Sequence, residues 1–131
     1  MQVRSSRKRE LIDVTDEVAA RVPAGSGLLH VFVPHTTAGV TLNEGYDPAV
    51  VEDILSVTGR LVPEDIPQRH AEGNSDSHAL SSIFGVSLFV PVAGGELGLG
   101  RWQRIFFVEM DGPRSRRLRL TFLPGEVVGD G

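Results

Sequence analysis

Short β-rich runs, mostly without helix-length crossovers between them, constrain this chain more than any other feature. They comprise residues 2–12, Leu28 to Val33, Thr37 to Leu42, Val86 to Val92, Gln103 to Met110 and a closing run. In the closing run Leu118, Leu120 and Phe122 alternate with Arg117, Arg119 and Thr121, the period of a half-buried strand. Parallel neighbours need connections of a dozen or more residues, whereas antiparallel ones need only a turn. An antiparallel or mixed sheet is therefore expected, not a doubly wound one.

Helix signals fall between some of the strands. Asp13 or Thr15 can cap a short helix whose first turn holds Asp16 and Glu17, and Pro23, Gly25 and Gly27 end it. Asp47-Pro48 opens a second helix, with an acceptor at the cap and proline at the first helical position. Val50, Val51, Ile54, Leu55 and Leu61 give its apolar stripe, and Gly59 lies near its end. Ser75 or Asp76 can cap a third helix with an apolar face of Leu80, Ile83 and Phe84. Gly85 is placed to close it in a left-handed turn. Ala93-Gly94-Gly95-Glu96 reads as a hairpin, and Asp111-Gly112-Pro113 as a tight turn. The sum is an α+β domain, single over residues 1–131 and long enough to bury a core.

Composition removes several function classes. Cysteine is absent, which excludes disulfides, thiolate nucleophiles and cysteine-ligated metal sites. A net charge of −4 weighs against nucleic acid or an anionic membrane as partner. No apolar stretch approaches the roughly 20 residues that span a bilayer. The opening MQVRSSRKRE is polar, with no apolar run after it to serve as a signal peptide. The cytoplasm is the expected compartment.

Three polar clusters interrupt this scaffold: Pro34 to Glu44, His70 to His78 and Gly100 to Arg114. The first sets His35, Thr36, Thr37, Asn43 and Glu44 around a short apolar strand that does not need them. In the second, His70 and His78 flank Glu72, Asn74 and Asp76, a spacing that a loop feeding a helix could fold into one pocket. Imidazole and carboxylate together bind divalent metals or move protons, although neither HExxH nor a Cys/His finger spacing occurs. Solvated strand-end and cap residues are the plain alternative for these groups. His30, inside an apolar run, reads as a packed or surface histidine. The glycines at 94, 95, 98 and 100 do not form GxGxxG, since position 103 is Gln. Trp102 and Gln103 would face opposite sides of a strand. Arg114 is placed to hold a phosphate. Arg117 and Arg119, with Arg116 beside them, read as a solvated basic face.

Taken in order, the clusters resemble the YjbQ family, also called the secondary thiamine-phosphate synthase family. The carriers are His35-Thr36-Thr37-Ala38-Gly39, Asn43-Glu44, Asp47-Pro48, Asp53, His70-Ala71-Glu72-Gly73-Asn74 and His78. Gly85, Val90-Pro91-Val92, Gly100, Trp102-Gln103 and Asp111-Gly112-Pro113-Arg114 complete the set. Arg101 departs from the threonine usual before the family's tryptophan. The resemblance implies a three-layer β/β/α sandwich assembled as a homotrimer, with a pocket near a subunit boundary.

It also implies an enzyme joining a hydroxymethylpyrimidine diphosphate to a thiazole phosphate and releasing pyrophosphate, as a main or a secondary activity. A divalent metal ion, Zn or Mg, is expected, with His35, His70 and His78 as candidate ligands. Candidate catalytic residues are His35, Glu44, Glu72, Asp76 and His78. Candidate substrate contacts are Thr36, Thr37, Asn43, Asn74, Trp102, Gln103 and Arg114. The rival readings are a metal-dependent hydrolase of a phosphorylated metabolite and a non-catalytic ligand-binding trimer.

Overall fold

In the computed structural model, which describes residues 1–129, the strands form antiparallel sheets. The last two residues of the expected domain, 130 and 131, lie outside the described ones. Strands β1 (Gln2–Arg4) and β8 (Ser115–Arg117) make a two-stranded ribbon. Strands β2 (Glu10–Asp13), β7 (Gln103–Glu109) and β4 (Ala38–Glu44) form a middle sheet in the order β2-β7-β4. A third sheet runs β6-β5-β3-β9, from Glu96–Leu97, Ser87–Ala93, Gly27–Phe32 and Arg119–Pro124. The helices are α1 (Thr15–Ala19), α2 (Pro48–Leu61) and α3 (Ser75–Phe84). None of the described helices is long and apolar enough to cross a membrane.

Strand β7 explains the layering. Its Ile105 and Phe107 face the core between the two larger sheets, with Leu29, Val31, Val40, Val90 and Val92. Its Phe106 and Val108 face the other way, into a second core with Leu80, Leu11 and Met110, packed by Val51, Ile54, Leu55 and Phe84. A strand covered on both faces must be apolar on both, so IFFV is continuous rather than alternating. The result is sheet on sheet with α2 and α3 on one outer side, the expected α+β sandwich, while α1 buries Val18 in the core between the sheets.

Several boundaries differ from the sequence expectation, each for a local reason. Residues 2–12 are two strands, because β1 pairs with β8 while β2 pairs with β7. The closing run likewise breaks at the buried Leu118, where the chain passes from the ribbon to the third sheet. The cap of α3 is Asn74, not Ser75 or Asp76, and the Ser75 amide donates to Gln68 Oε1 at 2.6 Å. Gly85 does end α3 with a positive φ of 87°, but its ψ of 159° is extended rather than left-handed helical. Ile83 and Leu61 are exposed rather than part of an apolar face.

The inner face of α3 carries serines instead. Ser77 Oγ donates to the Met110 carbonyl at 2.7 Å, and Ser81 Oγ to the Ala38 carbonyl at 2.6 Å, both buried. These bonds fix the helix to the start of β4 and the end of β7. Asp47 caps α2 as expected, accepting from the Ala49 amide at 2.9 Å. Gly94 and Gly95, at φ 57° and 81°, make the β5–β6 hairpin turn.

Candidate functional site

The β3–β4 connection, the start of α3 and the turn after β7 meet at one edge of the middle sheet. They enclose a cavity of about 350 Å³ lined by Pro34, His35, Thr36, Thr37, Glu72, Asn74, His78, Asp111, Arg114 and Arg116. A second cavity of about 600 Å³ shares Pro34, His35, Thr36 and His78 and adds Phe32, Val33 and Val86. The two form one cleft with a polar end and an apolar end.

Asn74 organises the polar end. Its Nδ2 donates to Asp111 Oδ2 at 2.7 Å and lies 3.4 Å from Glu72 Oε2, while its Oδ1 faces His70 Nε2. His70 does not line the cavity; its ring stands edge-on to that of His78, centroids 5.3 Å apart, and its Nδ1 faces Ser75 Oγ at 3.1 Å. Arg114 is held to the turn, Nε donating to the Asp111 carbonyl at 2.8 Å and Nη2 to Asp111 Oδ2 at 3.2 Å. That leaves guanidinium N–H groups to spare beside the cavity.

His35 accepts a hydrogen bond at Nε2 from the Arg117 amide at 2.9 Å, so its ring proton belongs on Nδ1. Burial lowers its pKa below the usual 6.5, and the charges of Arg116 and Arg117 lower it further against Glu109. His35 is thereby held neutral at pH 7.

Beneath the cavity lies a buried ion pair absent from the sequence expectation. Arg116 donates through Nε to both Glu109 oxygens and through Nη2 to Glu109 Oε2, and Nη2 also reaches Thr37 Oγ1 at 2.9 Å. Ser5 Oγ and the Asp111 amide complete the Glu109 shell at 2.7 and 3.2 Å. Burial alone would raise the Glu109 pKa, but Arg116, Ser5 and the Asp111 amide outweigh it and hold the carboxyl below its usual 4.5. Arg116 is thus a buried anchor and not part of a solvated face. The alternation of the closing run could have shown this, because Arg116 is two residues from the inward Leu118.

The other candidates lie elsewhere in the chain. Asp76 is two residues from His78 on α3, and such neighbours do not share a helix face. It is fully buried and accepts from Lys8 Nζ at 3.2 Å and Arg9 Nη2 at 3.0 Å, away from the cavity. Asn43, Glu44, Trp102 and Gln103 sit at the far ends of β4 and β7, where Asn43 pairs with Arg104 and Glu44 with Gln103. Strand rise puts them roughly 20 Å from the histidines within one chain. There Gln103 Oε1 accepts from the Gly100 amide, and Glu44 Oε2 from the Asp47 amide. The Arg101 guanidinium lies over the Trp102 ring, 4.7 Å from its centroid, so its charge is also remote from His35.

The three imidazoles do not form one ligand set as placed. His35 Nε2 and both nitrogens of His70 already face partners. Among the described residues, no three His, Asp or Glu side chains are gathered as a metal ion would require.

Comparison with known proteins agrees with the order of the motifs. The family model described as UPF0047 protein YjbQ-like matches residues 1–125. The UPF0047 protein MJ1081 of Methanocaldococcus jannaschii is 38% identical over 132 residues, covering 98% of this chain and 92% of that protein. YugU of Bacillus subtilis is 43% identical over 120 residues, covering 88% and 91%. A YjbQ/UPF0047 family crystal structure from Clostridium acetobutylicum superposes with a TM-score of 0.91 at 38% identity, covering 94% of this chain and 98% of that one. The hypothetical protein APE1520 of Aeropyrum pernix gives 0.87 at 42%, covering 95% and 96%. The chain, from its first strand to Gly125, therefore belongs to the YjbQ (UPF0047) family.

Proposed function

We propose that this protein is an enzyme of thiamine-phosphate synthase type, joining a hydroxymethylpyrimidine diphosphate to a thiazole phosphate. The observation that carries the reading is the two-ended cleft, in which a polar end with Arg114, His78 and Asn74 opens into an apolar end beside His35. A phosphorylated heterocycle has that same division between an anionic tail and an apolar ring.

In the reaction the ring nitrogen of the thiazole donates its lone pair to the exocyclic methylene carbon of the pyrimidine. The C–N bond forms as the C–O bond breaks, and pyrophosphate leaves with that bonding pair. The protein's task is to stabilise negative charge on the leaving group. Arg114 offers guanidinium N–H groups, and His35 in its neutral form is available to donate through Nδ1. The N-terminus of α3, a ten-residue helix, adds a partial positive potential beside Asn74 and His78. The homotrimer implied by the family resemblance belongs to the same proposal.

The test supplies both substrates with and without Zn²⁺ or Mg²⁺ and measures thiamine phosphate and pyrophosphate. His78→Ala should lower turnover at least tenfold with little change in melting temperature, because His78 lies on α3 away from the buried Leu80 contact. Release of phosphate from one substrate and water alone would favour hydrolysis. Binding without any product would favour a ligand-binding role.

A further inference from the structure

On the other side of Pro34 lies a cavity of about 470 Å³ that the reading above does not use. Its walls carry Arg21, Arg117 and Arg119, and its apolar lining is Met1, Pro34 and Leu120, with the buried Leu118 behind them. Among the described residues, none of these three guanidiniums is within ion-pair distance of a carboxylate. Their one side-chain hydrogen bond to protein among the described residues is from Arg21 Nη1 to the Glu17 carbonyl at 2.7 Å.

Three like charges around one cavity repel each other, and they do so on a chain whose net charge is −4. The backbone nevertheless holds them together. Arg117 pairs with Gln2 across the β1–β8 ribbon, Arg119 pairs with Phe32 in the third sheet, and the Arg21 amide bonds to Val18 beyond α1. Because Leu118 turns inward between them, Arg117 and Arg119 share the outward side. Preformed cationic walls over an apolar floor fit an anion with an apolar body, and bidentate guanidinium bonding suits phosphate.

We propose that this cavity is a second ligand site, binding a small organic phosphate whose anionic group is held by Arg21, Arg117 and Arg119 and whose body rests on Pro34 and Leu120. It adjoins the histidine cleft through Pro34, but Arg21 and Arg119 do not line that cleft. The proposal is independent of the condensation, so a failed synthase assay does not bear on it.

The experiment titrates the whole protein with phenyl phosphate, and separately with inorganic phosphate, at fixed ionic strength by calorimetry and amide NMR. Phenyl phosphate should bind the more tightly and shift the amides of Arg21 and residues 117–120. The Arg21→Gln/Arg119→Gln double variant should weaken binding roughly tenfold or more while keeping a dispersed amide spectrum. Arg114→Gln, which alters only the histidine cleft, should leave the ligand-dependent shifts of Arg21 and residues 117–120 unchanged. No detectable binding, or shifts confined to residues 74–78 and 111–114, would overturn the proposal. So would full affinity in the folded double variant. The shift map needs no variant, so it decides the location even if the double variant does not fold.

Discussion

Apart from Glu109, the surroundings of His35 oppose its protonation. A backbone N–H needs the lone pair on Nε2, and burial together with Arg116 and Arg117 disfavours a further positive charge. Its NMR titration midpoint is expected below 6.5. Folding therefore favours the deprotonated ring, and this contribution to stability is fully present above pH 6.5 and lost as pH falls through the folded-state value. A midpoint above 6.5 would remove the neutral-donor role. Beside it, Arg116→Met would leave the Glu109 carboxylate buried without its guanidinium. The expected loss is about 3–5 kcal/mol in urea unfolding at pH 7, and a loss under 1 kcal/mol would show that Glu109 is solvated or protonated there. At this scale the sequence was only partly legible. His35, Asn74, His78 and Arg114 stood out because no strand or helix needed them. Asp76 stood out beside His78 yet faces Lys8 and Arg9, since polar character does not report helix face unless the period is counted.

The placement of α3 against β4 decides where His78 and Asn74 lie. A Cβ on Gly39 would come 2.5 Å from the Gly85 carbonyl oxygen and 3.3 Å from the Phe84 Cβ, so only glycine allows this approach. The same carbonyl accepts the Val40 amide at 3.0 Å, tying the helix end to the strand. Gly39→Ala should therefore cost about 1–3 kcal/mol by forcing the helix outward. It should also lower turnover by moving His78, although residue 39 lies outside the cavity. Unchanged melting temperature and activity would mean that α3 shifts freely, contrary to its buried serine bonds. Strands and helices were mostly readable as elements, because turn residues and period locate them without knowledge of partners. Where the chain changes partner, at residues 5–9 and at Leu118, the local pattern continues across the break. Pairing there is a property of the assembled sheets, so the sequence pattern showed one strand where two exist.

For the whole molecule, the trimer proposal makes a geometric demand. A ring of three copies is closed by two different patches on each subunit, the one meeting the other. Two of the exposed apolar regions carry aromatic side chains. The outer face of the third sheet presents Leu28, Phe89 and Leu123, which are 42%, 53% and 48% exposed, around His30, whose ring lies 4.8 Å from that of Phe89. The far end of β4 presents Tyr46 and Trp102, edge-to-face at 4.8 Å. Contiguous exposed aromatics on a sheet face are costly in water and often mark a protein contact. A single-chain reading of the site also leaves Trp102 and Glu44 far from His35, and contact between unlike patches is the arrangement that could bring one copy's β4 end near another copy's surface. Sedimentation of the wild-type protein at micromolar concentration is expected to give a three-chain species. Phe89→Asp should shift that species toward the monomer without unfolding it, since Phe89 lies outside both cores. A wild-type monomer across the concentration range would end the trimer proposal, and a Phe89→Asp trimer of undiminished stability would exclude the outer sheet face as its contact.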